Sequence, residues 1–202
     1  MSDGEPGTRD RILEIAFEEF AEKGIAGTRV ATIAARAGAN VRMIYYWFGS
    51  KRGLHETVGA YAVRHAQSAL AEVEPAALAV DPMRALFGDK RANPKLTRLL
   101  QWEELESADS GEPLANAAER AEKAAQRIAL IERAQAEGLI AAELDPRMIY
   151  FALHALTRAP SAFPALARIA TSRDRSDPEF AERYRRLLVS LGPVLAGDRA
   201  DG

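Results

Sequence analysis

Apolar positions in the first sixty residues recur at helical spacing and are cut into short lengths by glycines and capping residues. Between residues 8 and 23, Ile12, Ala16 and Phe20 fall four apart, and Leu13, Phe17 and Phe20 fall four and three apart. On a helix this makes one buried stripe. Thr8 can cap the start of that helix, and Gly24 can end it in the left-handed conformation. Thr28 can cap a second helix, with Val30, Ile33, Ala34 and Ala37 as its inner face and Gly38 as its stop. Asn40 can cap a third. There Ile44, Trp47 and Phe48 point inward, while Val41, Arg42, Met43, Tyr45 and Tyr46 are left largely outward. Ser50 can cap a fourth helix beginning at Lys51. Three short helices divided by tight turns form the pattern of a helix-turn-helix unit.

Beyond this unit the segments lengthen. The pattern predicts helices near 51–73, 82–91, 94–107, 113–137, 145–170 and 177–196, about nine in all, with residues 1–7 as a disordered arm. Pro75 and Asp81-Pro82 mark a connection, Asn93-Pro94 a break, and Asp109-Ser110-Gly111 a loop. Pro160 and Pro164 are expected to bend or interrupt the 145–170 helix. Asp followed by Pro, a good helix-start signal, recurs at 81, 145 and 177. About one residue in five is alanine and β-branched runs are scarce, so the fold class is all-α.

Composition narrows the chemistry. At 202 residues, 48% hydrophobic and 28% charged, the chain is long and apolar enough for a full core, or for a small domain joined to a larger one. It has no cysteine, which excludes a disulfide framework, a thiolate metal site and a cysteine nucleophile. His55, His65 and His154 stand too far apart in sequence for a His-rich metal motif, and neither metal nor cofactor is expected. No apolar run approaches a membrane span, and the polar, acidic start lacks a signal-peptide core. The expected location is cytoplasmic.

The net charge is −2, but the charges are unevenly placed. From Gly24 to His55 the chain carries Arg29, Arg36, Arg42, Lys51 and Arg52 and no acid, after a helix with Asp10, Glu14, Glu18, Glu19 and Glu22. A positive face on an acidic body suits a nucleic-acid reader. Arg36 has a plainer reading, as a solvated residue on the outer side of the second helix.

The segment from Thr28 to Leu54 resembles the N-terminal domain of the TetR family of transcriptional regulators. The resemblance rests on Thr28, Ile33-Ala34, Ala37-Gly38, Tyr45-Tyr46-Trp47-Phe48, Ser50-Lys51 and Leu54, within residues 8–55. It implies a helix-turn-helix DNA-binding domain in residues 1–55 and a larger helical effector-binding and dimerisation domain in 56–202. Thr28 and Arg29 at the second helix, Tyr45 on the reading helix and Lys51 at the fourth are then placed for phosphate contacts, which position without specifying sequence. Asn40, Val41, Arg42, Met43 and Tyr46 complete the DNA-facing set. Arg42 can take guanine O6 and N7 together, and Val41 and Met43 can touch thymine methyls. Many family members carry glycine or alanine where this chain has Arg42, a departure that argues against a close backbone approach at that position.

The resemblance further implies a homodimer on a palindromic operator, most simply a repressor released by a small molecule. The last two long helices would supply the interface, through Phe151, Ala155, Tyr184, Leu187, Leu188 and Leu191. An effector pocket would draw on Met83, Phe87, Leu99, Trp102, Leu105, Tyr150 and His154, with Glu103, Glu104, His65 or Arg158 for polar contacts. Each of these is also a reasonable core or surface residue. Two other classes compete. An architectural DNA-binding protein would have no effector, but the large body beyond the reader is more than shape-only binding needs. An enzyme would need a phosphate loop, a metal cluster or a nucleophile–base pattern, and the sequence has none of these.

Overall fold

Capping side chains mark the start of several helices. The computed structural model describes residues 7–66, 73–87, 93–111, 113–114 and 116–197, with backbone alone for 62–66. Among the described residues the chain forms helices and no strand: α1 (Thr8–Gly27), α2 (Val30–Arg36), α3 (Val41–Phe48), α4 (Lys51–Ala66), α5 (Ala76–Val80), α6 (Pro82–Phe87), α7 (Pro94–Ser110), α8 (Ala117–Ala136), α9 (Pro146–Ala162), α10 (Pro164–Thr171), α11 (Pro178–Val189) and α12 (Leu191–Leu195). Residues 1–6 of the expected arm, and the ends of the expected helices at 67–72 and 88–91, lie outside the described residues. The Asn40 side chain accepts the Met43 N–H at 2.8 Å, and Ser50 Oγ accepts the Gly53 N–H at 2.9 Å. Asn93 accepts from Lys95 at 3.0 Å, and Asp145 and Asp177 accept from Arg147 and Glu179 at 2.8 Å each. Each bond satisfies an N–H that a helix start leaves over.

Three extra segments separate this architecture from the nine expected. A five-residue helix, too short for periodicity to reveal, follows Pro75. Pro160 stays inside α9, and the interruption comes at Phe163, where Pro164 opens α10. Ser190 divides α11 from α12. At the other end Gly7, not Thr8, is the N-cap of α1.

The described parts of 1–66 and 93–117 form one compact unit. Its core gathers Ile12, Leu13, Ala16 and Phe20 of α1, Ile33 of α2, Ile44 of α3, Leu54 and Val58 of α4, and Leu96 and Leu99 of α7. Burying a side chain of this size contributes roughly 1.5–3 kcal/mol. The described parts of 67–92 and 118–202 form a second unit, around Leu78, Met83, Leu86, Leu130, Ile131, Ile140, Ile149 and Leu153. In that unit a Cβ at Gly192 would stand 2.2 Å from the Ala79 carbonyl oxygen, so glycine lets α12 lie directly on α5. No helix among the described residues is long and apolar enough to cross a membrane.

Gly24 interrupts α1 at φ 66°, ψ 178°, a conformation essentially restricted to glycine. A Cβ there would also meet the Trp102 ring at 3.0 Å. Gly24→Ala should therefore cost about 2–3 kcal/mol. Gly138→Ala, at φ 72° with open space around it, should cost about 1 kcal/mol. Urea denaturation of both variants measures the difference; equal losses would remove Trp102 from the explanation.

Candidate nucleic-acid interface

The reader is α2, the turn at Gly38 and α3. The Ala39 N–H bonds the Ala34 carbonyl at 2.9 Å across this turn, and Gly38 takes φ 62°. In α3 the buried side chains are Ile44 and Phe48, which lock the helix to the first core. Trp47 is half-buried on the same core, as its inward assignment requires. Tyr46 is 85% exposed and Tyr45 46% exposed, and Arg42 is exposed beside them. Val41 and Met43 are only partly outward: both are half-buried, and Val41 packs against the core. The outer face of α3 is therefore Arg42, Tyr45 and Tyr46, with Met43 at its edge. Asn40 is exposed, but its carbonyl oxygen already caps the helix.

The cations of the acid-free window divide by their partners. The Arg29 and Arg42 side chains are exposed, with no hydrogen bond or ion pair among the described residues. Arg36 is held by Glu19 and Glu18 at 2.7 Å each. Those two carboxylates raise its pKa further, Glu19 first. It braces α2 to α1 and is not a free cation. Glu18 also pairs with Lys95 of α7 at 2.5 Å, and Glu19, itself buried, with Lys23 at 2.8 Å. Lys51 is half-buried, and its ammonium donates to the Ala26 carbonyl at 3.4 Å, at the end of α1. Sequence reasoning missed Arg9. Its guanidinium lies 5.4 Å from the centre of the Phe48 ring, at the foot of α3, and is exposed there. The only signal for it is a basic residue in the first turn of α1.

Thr28 is placed differently from its expected role. The N-cap of α2 is Arg29, with no side-chain cap, and Thr28 is 1% exposed. Its hydroxyl is directed at the Gly24 carbonyl at 2.7 Å and the Glu19 carbonyl at 3.1 Å. A buried hydroxyl takes the nearest acceptors, and here the broken end of α1 supplies them. In this structure the side chain closes the α1–α2 corner and does not face outward.

Comparison with known proteins bears on the whole chain. Residues 12–58 match the profile described as bacterial regulatory proteins, tetR family. Residues 82–191 match the profile of the tetracyclin repressor-like C-terminal domain. The chain belongs to the TetR family. It is 34% identical over 168 residues to the HTH-type transcriptional repressor SCO4008 of Streptomyces coelicolor, covering 80% of this chain and 82% of that one. The match to the repressor NicS of Pseudomonas putida is 47% identical but confined to 51 residues, about a quarter of either chain. Among solved structures, the transcriptional regulator SCO4942 of Streptomyces coelicolor superposes with a TM-score of 0.71 at 28% identity, over 93% of this chain and 97% of that one. The relatives of this TetR-family chain are transcriptional regulators, not enzymes.

The expected pocket residues fall in both units. Leu99 is fully buried in the first core, Trp102 packs over Gly24, and Leu105 is 59% exposed. Met83, Phe87, Tyr150 and His154 belong to the second unit, where the last three rings lie 5.5–6.3 Å apart, centre to centre. Glu103 is buried and lines a cavity of about 370 Å³ in the first unit, with Arg52, His55, Glu56, Glu106 and Asp109. Glu104 is exposed, Arg158 bonds His154, and the His65 side chain lies outside the described residues. The expected interface residues also divide. Phe151, Ala155 and Leu187 face outward, with Phe151 67% exposed. Leu188 and Leu191 pack on the second core. Tyr184 is half-buried; it stacks on Phe180 and donates its hydroxyl to the Leu156 carbonyl at 2.7 Å.

Two substitutions separate a phosphate contact from a corner residue. Thr28→Val should lower stability by about 1–3 kcal/mol and leave the salt dependence of DNA binding unchanged. Lys51→Ala should weaken all duplexes alike and reduce the slope of log affinity against log salt by about 1. Binding titrations across salt concentrations, with thermal melts, measure both; a flatter slope for Thr28→Val would return its hydroxyl to the DNA.

Proposed function

We propose that this TetR-family regulator is a cytoplasmic, homodimeric repressor that reads a palindromic operator with α3 of each protomer and leaves it on binding a small molecule. The observation that carries the reading is the outer face of α3. Arg42, Tyr45 and Tyr46 are exposed there, on a helix held from behind by Ile44 and Phe48, with the exposed Arg9 over the Phe48 ring and the exposed Arg29 at the start of α2. Arg42 reads base edges, and Arg29, Arg9, Tyr45 and Lys51 hold phosphates. Residues 1–55 act as the reader, and the remainder as the effector-binding and dimerisation part.

A single reading helix spans few base pairs, so specificity requires two on a twofold axis. The outward face of α9 suits this need: Met148, Phe151, Ala152 and Ala155 are exposed and carry no charge. Leu187 on α11 and Val194 on α12 are also exposed, and α11 carries arginine–glutamate pairs such as Arg186–Glu182 at 2.9 Å. An apolar centre with a charged rim is the make-up of a protein interface.

Selection of sites from random duplexes should return a palindrome with half-sites about one turn apart. With Arg42→Ala, one position in each half-site should lose its preference, equivalent to about 1–3 kcal/mol. Unselective, salt-sensitive binding would instead favour an architectural role. Phe151→Glu should convert the dimer to a folded monomer in sedimentation. A variant that stays dimeric would move the interface off α9.

A further inference from the structure

Among the described residues, the second unit holds a buried cation with no counter-ion. Arg127 of α8 is 6% exposed. Its Nε donates to the Leu86 carbonyl at 3.0 Å, one of its terminal nitrogens to the Lys123 carbonyl at 3.0 Å, and its guanidinium lies 5.7 Å from the centre of the Phe87 ring. No carboxylate pairs with it among the described residues. Taking a charge out of water is costly unless an opposite charge meets it, and a protein seldom buries one without use. A staple between α8 and α6 alone would need only a neutral donor.

Among the described residues, the groups around it add donors and no anion. His154 lies 5.6 Å from Phe87 and 5.5 Å from Tyr150, ring centre to ring centre. Its Nε2 accepts from Arg158 Nε at 3.0 Å. Burial first, then the charges of Arg158 and Arg127, push its pKa down to about 4, so the ring is neutral at physiological pH. A neutral imidazole that accepts at Nε2 carries its proton on Nδ1. That Nδ1 is buried and has no hydrogen-bond partner. Two guanidiniums and an unmatched imidazole N–H thus surround the aromatic pair Phe87 and Tyr150.

We propose that the effector of this regulator is an organic anion, a carboxylate on an aromatic or short acyl body, held by Arg127 and the His154 Nδ1–H with its apolar part on Phe87 and Tyr150. This rests on the ligand-released reading above and gives that ligand its chemical class. The Arg127 fork pairs with both carboxylate oxygens, as guanidinium geometry favours. The bound anion supplies the missing counter-charge, so it binds the state in which these groups converge more tightly than any state that separates them.

The test is thermal denaturation of the full-length protein, without DNA, in the presence of matched probes. Benzoate, phenylacetate and hexanoate are compared with benzamide, phenylacetamide and benzylamine. The three acids, or the best-fitting among them, should raise Tm by about 3–6 °C at tenfold saturation, and the amides and the amine by less than about 1 °C. The acid shift should disappear in Arg127→Met and persist in weakened form in Arg127→Lys. If Arg127→Met does not fold, His154→Phe serves as the second variant and should reduce the same shift. Equal shifts by acids and amides, an unreduced acid shift in Arg127→Met or His154→Phe, or no acid shift in the wild type would each overturn the assignment. Because no DNA is present, any of these results leaves operator recognition and ligand release to be decided by their own measurements.

Discussion

The break in α1 at Gly24 is the constraint from which the reader takes its shape. A continuous helix would carry the chain straight past its neighbours. A residue at φ 66° turns it and brings the backbone under the Trp102 ring. Thr28 then folds its hydroxyl back onto the Gly24 and Glu19 carbonyls. The start of α2 is thereby pinned to α1. The direction of α2 sets the Gly38 turn, and the turn sets α3. A glycine seated against an indole thus bears, through two short helices, on the positions of Arg42 and Tyr46.

The acids of α1 complete the arrangement. Glu18 and Glu19 take Arg36 from α2, and Glu18 also takes Lys95 from α7. Their hydrogen bonds to lysine and arginine hold both carboxyls below their usual range, Lys95 leading at Glu18 and Lys23 at Glu19. A depressed folded pKa is a stabilising term that is present at neutral pH and fades as pH falls through that pKa. The same pairings sort the charge. They neutralise Arg36 and leave Arg29 and Arg42 to the solvent, so a chain of net charge −2 still presents a basic reading face.

What was legible in the sequence was mostly local. Asn40, Ser50, Asp145 and Asp177 cap helices as their positions indicate, because a cap needs only the next two or three residues. The inward triad of α3 follows from its spacing. Thr28 was misplaced as a cap because its hydroxyl is claimed by carbonyls four and nine residues back, a choice made by the corner and not by the neighbouring sequence. Arg36 could be given two roles until its partners on α1 were located. Pro160 and Pro164 look alike in sequence, but only one sits where a helix can restart. Large apolar residues such as Leu99 and Trp102 carry no local signal that separates a pocket wall from a core, and both pack within the first unit. Arg127 carries no signal of its burial in the sequence, because a charged residue on a helix usually faces water.

The central claim is that α3 enters the groove of a duplex twice, once from each protomer. The chain has no cysteine, so a single one can be introduced at Tyr46, 85% exposed on α3, and labelled with an iron chelate that cleaves nearby DNA. On a selected operator, two cuts in symmetric register about one helical turn apart would be the predicted result. Cleavage spread along the duplex without register, or none at all from a protein that still binds, would contradict it.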